Sequence, residues 1–222
     1  MKYPLSLLLA CLTLFACQER PATTAQAEPT ATTCADERPP YKTFVKSVHK
    51  WKNATYQAKS DYLFQLVNDD IYCYWKGTPW DFYGMSRQPQ QGQIACGYFV
   101  TNTLSDLGFR IERSRLAQVV SGQMIRELCT NIKTFNRFDQ LETFLKSQPD
   151  RSVFIIGLDF HTGYIVKDGE SYFLHSNYIG REGVIKEPIR TSRALVHNKF
   201  FMIGSLSQNK AFVNRWFEGL GE

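Results

Sequence analysis

Three features of the 222-residue chain predict an α+β domain: apolar residues at helical spacing through the first half, short β-branched strands through the second, and an Asp168-Gly169 turn between two of those strands. Helices followed by antiparallel strands is the order of an α+β protein rather than of alternating βαβ units. Over 41–66, Phe44, Val45, His49, Tyr56, Tyr62, Leu63 and Leu66 suggest helical segments with one apolar face. The stretch 77–93 is rich in Gly, Pro, Gln and aromatics and reads as an irregular loop. Beyond it Val100, Leu104 and Leu107 form a helical stripe that starts at Cys96, with Gly108 placed as the C-terminal cap. Two further helices are expected over 116–128 and 138–145, joined by a polar stretch around Asn131. Strands are expected over 152–160, 163–166, 171–174 and 199–206, and a closing amphipathic helix over 211–217. No internal repeat is visible.

With 43% hydrophobic and 14% aromatic residues the chain can bury a core, and its length suits one domain, 41–222. The net charge of +5 loses one unit if Lys2 is removed with a leader, leaving +4. That excess is mild, and no basic run with interleaved aromatics accompanies it, which excludes a nucleic-acid binder.

The first 16 residues read as a secretory signal, with Lys2 ahead of the apolar run Leu5 to Phe15. The run ends in Leu14-Phe15-Ala16-Cys17, which resembles the lipobox of bacterial lipoproteins. That resemblance implies a diacylated Cys17 and a membrane anchor. Gln18, where inner-membrane retention would call for Asp, favours the outer membrane, facing the periplasm. Residues 17–40, rich in Pro, Ala, Thr and Glu, are expected to be a flexible tether.

Six cysteines stand at 11, 17, 34, 73, 96 and 129, without a C-x-x-C pair that would suggest structural zinc. An oxidising compartment would permit Cys73 to pair with Cys129, leaving Cys34 in the tether and Cys96 free; a pairing that consumed Cys96 would abolish any thiol chemistry. A thiolate is the reactive form of cysteine, and the N-terminus of a helix stabilises it through unpaired N–H groups and the helix dipole. Cys96 is placed for that help. A base must accept its proton and pass it on, and histidine is suited to the task.

Four histidines are available, at 49, 161, 175 and 197. If residues 167–169 form the hairpin loop, Val166 pairs with Glu170 and His161 lies directly opposite His175, base and orienter. If the loop is Asp168-Gly169 alone, His175 points through the other face, and either a bulge or Asn177 in a shifted pairing supplies the orienter. Gln91 and Gln93, just ahead of Cys96, are candidate side-chain donors to an oxyanion.

Gly77-Thr78-Pro79-Trp80, Tyr83-Gly84, Ala95-Cys96-Gly97-Tyr98-Phe99-Val100, His161-Thr162-Gly163-Tyr164 and Tyr172-Phe173-Leu174-His175 resemble successive motifs of the NlpC-type papain-like cell-wall cysteine amidases. The resemblance covers roughly 77–178. It implies a papain-like fold with Cys96 as nucleophile, His161 as base and His175 as third residue, and an aromatic, Tyr83 or Trp80, near the oxyanion site. It implies no metal or cofactor, monomeric action, and a peptide or isopeptide bond of the murein stem peptide as substrate. The chain departs from the family at Ala95 and Gly97, where Asp and Ser are usual, at Trp80, where Tyr is usual, and in its longer loop before Cys96. Acyl transfer on the same fold and a non-catalytic binding lipoprotein are the alternatives.

Overall fold

The computed structural model describes residues 34–35, 37–48 and 53–216. The expected signal, the lipid site at Cys17 and most of the tether lie outside the described residues. Within them the chain is α+β, with a six-stranded antiparallel sheet and helices on both faces. No helix among the described residues is long and apolar enough to cross a membrane.

Helix α1 (Tyr41–Val48) is followed by α2 (Tyr56–Gln65), capped by the Thr55 side chain on the Ala58 N–H. A π-helical stretch, Leu66–Ile71, carries α2 into α3 (Tyr72–Trp75), so helix runs well past the expected end near Leu66. Next come α4 (Cys96–Asp106), α5 (Arg113–Gln118) and α6 (Ser121–Leu128); the helix expected over 116–128 is thus two, parted by extended backbone at Val119. Strand β1 (Thr130–Phe135), α7 (Phe138–Lys146), β2 (Ser152–Gly157), β3 (Thr162–Asp168), β4 (Glu170–Asn177), β5 (Gly183–Pro188), α8 (Arg193–Val196), β6 (Phe201–Ser205) and α9 (Lys210–Asn214) complete the order. Strands β1 and β5, both at sheet edges in the order β1-β6-β2-β3-β4-β5, were not expected from sequence.

Alternation along the strands sends Val153, Ile155, Tyr164, Val166, Leu174 and Val184 to one layer, under α1 to α6 and α9. Phe154, Ile156, Ile165, Phe173 and Phe201 face the other layer, with Leu141 and Leu145 of α7. Helix α4 lies on the first face, where the buried Tyr164 hydroxyl meets the Val100 carbonyl at 2.9 Å and the Thr103 hydroxyl at 2.8 Å. Its far end closes as expected: the Gly108 N–H donates to the Ser105 carbonyl and the Phe109 N–H to that of Leu104, the two bonds of a Schellman cap.

The cysteine pairing differs from expectation. Cys34 is joined to Cys73, and Cys96 and Cys129 are free. Cys129 is buried against the sheet at Gly204, and Cys73 on α3 is taken by Cys34. The end of the proline-rich segment is therefore fastened to the domain, aided by an Arg38–Asp70 ion pair at 3.0 Å and by the Tyr74 hydroxyl on the Pro39 carbonyl. The bridge spans 39 residues. Closing a loop of that length removes enough unfolded-chain entropy for Cys34→Ser to cost about 3–4 kcal/mol, read as a fall in urea midpoint with a slope that rises as the uncrosslinked denatured chain exposes more surface.

Candidate active site

Cys96 is the first residue of α4, behind an N-cap, Ala95, that has extended backbone and no side-chain hydrogen bond to the helix. The N–H groups of the first turn are thus left for other partners. Backbone N–H groups of Thr162, Gly97 and Cys96 itself reach the thiol. Even so, burial dominates and pushes the Cys96 thiol above its ordinary range, against the expectation that the helix start alone would lower it. The resting sulfur is therefore a thiol that needs a base.

Gly97 sets how closely α4 and α5 approach. A Cβ there would stand 2.4 Å from the Ala117 carbonyl oxygen, so the serine usual in the resembled family has no room. The loop before the helix is strapped to it: the Asn102 amide donates to the Ser86 carbonyl at 2.7 Å, Arg87 pairs with the buried Asp106, and Ala95 N–H donates to the Gly84 carbonyl at 2.9 Å.

His161 follows a tight turn, in which the Leu158 N–H donates to its carbonyl, so the strand expected over 152–160 stops at Gly157 and Phe160 stands at the turn. The β3–β4 register pairs Asp168 with Glu170 and Tyr164 with Leu174, a shift of two from the three-residue loop. His175 then falls opposite Gly163, and His161 reaches it diagonally; a shift of two keeps both on one face. Gly163 makes the diagonal possible, because a Cβ there would lie 2.7 Å from that of His175. His161 Nε2 and His175 Nδ1 are 2.7 Å apart, and both rings are buried.

The line continues one strand further than sequence suggested. His175 Nε2 lies 3.1 Å from Glu187 Oε1 on β5, again a diagonal step, since His175 pairs with Ile185. Burial, the largest influence, works against the Glu187 carboxylate, but the hydrogen bond and charge of His175 together with the Ser192 hydroxyl hold the group below its usual range. A carboxylate only accepts, so His175 Nε2 carries the proton, its Nδ1 is bare, and His161 must donate from Nε2. His161 Nδ1 is then the bare, basic nitrogen. Burial, and then the neighbouring His175, hold the His161 pKa well below its ordinary value. Burial likewise lowers that of His175, against the pull of Glu187.

Cys96 and His161 line one cleft of about 800 Å³, together with Trp80, Tyr83, Tyr98 and Tyr178. The structure thus brings together Cys96, His161, Trp80 and Tyr83, with His175 behind His161. Two expected residues are not in it. Gln93 is exposed and outside the lining; the amide that does line the cleft is Gln118, which donates to the Tyr98 hydroxyl at 3.0 Å. Asn177 instead holds the turn after β4, bonded to Glu182 at 2.8 Å and to the Ile179 N–H at 3.0 Å, so His175 orients His161. Glu187 was missed; its only signal was the pair Val184-Ile185 between Gly183 and Pro188, a short strand with few apolar residues. Comparison of the chain with family models, with curated proteins and with solved structures returned no match.

Proposed function

We propose that the chain is a cysteine hydrolase of papain-like type that cleaves an amide bond through Cys96, His161 and His175. The observation that carries this reading is the imidazole pair: His161, which lines the same cleft as Cys96, has its Nε2 held by His175 and so keeps its Nδ1 bare. In the reaction His161 Nδ1 takes the thiol proton as Sγ bonds to the substrate carbonyl carbon. First-turn N–H groups of α4 receive the developing oxyanion. The tetrahedral centre collapses, the carbon–nitrogen bond breaks, and His161 returns the proton to the leaving amine. Water, deprotonated by the same nitrogen, then hydrolyses the thioester and restores the thiol. Glu187 acts through His175, keeping both rings in the tautomers this sequence requires.

A thiol that must be activated in place has a recognisable reactivity. Iodoacetamide labelling read by peptide mass is expected to modify Cys96 well before the buried Cys129, with a rate that climbs with pH past the ordinary thiol pKa of about 8.5. Equal labelling of both cysteines, or none at Cys96, overturns the reading. The first substrates to assay are murein sacculi and acyl p-nitroanilides, with new amines counted against a Cys96→Ala control.

A further inference from the structure

The cleft has a chemistry of its own. Among its lining residues none is Asp, Glu, Lys or Arg. Its outer wall is apolar and exposed: Phe160 at 96%, Tyr83 at 81% and Phe82 at 71%, with Met85 beside them. Asp81, within the same loop, is turned to the backbone, accepting from the Tyr83 N–H at 2.8 Å. Large apolar side chains exposed together in a concavity mark a surface that another apolar group covers. An acidic stem peptide would bring several carboxylates into a space whose lining holds no cation, while Arg113, stacked on Tyr98, is already bonded to Asn102 at 2.8 Å, so the carboxylates would enter at a cost in desolvation.

We infer that the substrate is an acyl donor whose acyl group is a hydrocarbon chain, lying in the cleft against Phe82, Met85 and Phe160 with its carbonyl at Cys96. This inference rests on the thiol-hydrolase reading above and narrows its substrate class. The chemistry balances as before: the sulfur–carbon bond forms as the bond from the carbonyl carbon to nitrogen or oxygen breaks, the leaving group takes the proton from His161, and water releases the fatty acid.

The experiment uses p-nitrophenyl acetate, butyrate, hexanoate and octanoate, each below its micellar concentration, with Cys96→Ala as background. Full burial of each added methylene corresponds to about a fourfold gain in kcat/KM, or about 4,000-fold for the six that separate acetate from octanoate; with about half of that burial realised, a rise of about 100-fold or more is expected. Phe160→Ser is expected to lower the octanoate-to-acetate ratio about tenfold or more, since it opens the outer wall. In parallel, the Cys96→Ala protein is titrated with the uncharged apolar fluorophore N-phenyl-1-naphthylamine, expected to bind saturably and to be displaced by decan-1-ol but not by alanyl-γ-glutamate.

A flat chain-length profile with Cys96-dependent turnover overturns the hydrocarbon inference and leaves the hydrolase standing. Cys96-dependent release of stem peptides from sacculi, with acetate preferred to octanoate, does the same. Saturable probe binding without Cys96-dependent turnover of any ester, anilide or sacculus supports the apolar site and overturns the hydrolase. Loss of both turnover and binding overturns both.

Discussion

Replacing Cys96 by alanine is expected to lower kcat/KM by about four orders of magnitude or more, the scale seen when a covalent nucleophile is removed from an enzyme that works through an acyl intermediate. No neighbouring group can take its place: the only other free cysteine among the described residues, Cys129, is buried away from the cleft. The fold should barely register the change, because the substitution deletes a single sulfur at the wall of an open cleft and leaves α4 with a better helix former; about 1 kcal/mol or less is the expected cost. Thermal unfolding measured beside turnover checks both halves. Retained activity on the preferred substrate in the alanine variant would refute the thiol mechanism.

The second large effect concerns His161. Its replacement by glutamine is expected to cost about 10³-fold in kcat/KM, within the span that general acid–base groups supply. The pH profile carries a sharper signature. The reactive form has a neutral imidazole, and burial, then His175, hold the His161 pKa well below the ordinary value of about 6.5. Activity should therefore be flat through neutral pH and fall only as pH drops through that lowered value; an acidic limb centred above about 6.5 would contradict the buried pair. Stability follows the same sign. Both histidines bind protons more weakly folded than unfolded, so stability is full above about pH 6.5 and is lost as pH falls through the folded values. His161→Gln should remove part of that loss.

What could be read from sequence divides along physical lines. Helix α4 was legible because Val100, Leu104 and Leu107 repeat on one side and Gly108 stops the turn, all local signals. His161 and His175 were legible as neighbours because a hairpin ties residues close in sequence; their register was not, since a shift of two preserves the face and the pattern cannot detect it. Strand β1 escaped because its edge position leaves it mostly polar and exposed, without an apolar alternation. The Cys34–Cys73 bridge escaped because spacing along a chain carries no pairing information. Gln93 was misjudged because nearness in sequence to Cys96 does not survive the turn into α4. The papain-like resemblance rests on short motifs in about half the chain, and the wide apolar cleft lies in the part where those motifs are weakest.

Strand β5 is the border of its sheet: β4 pairs with it along its whole length, and on its other side Gly77 and Thr78 bond it at Val184. Fraying there is ordinarily a harmless event, in which a few amides exchange and nothing else changes. In this molecule the same event would withdraw Glu187 from the imidazole row, and each ring could then carry its hydrogen on either nitrogen. The chemical competence of the sulfur is thereby hung on a border ribbon, so loosening that ribbon alone can silence the site while its core stays intact.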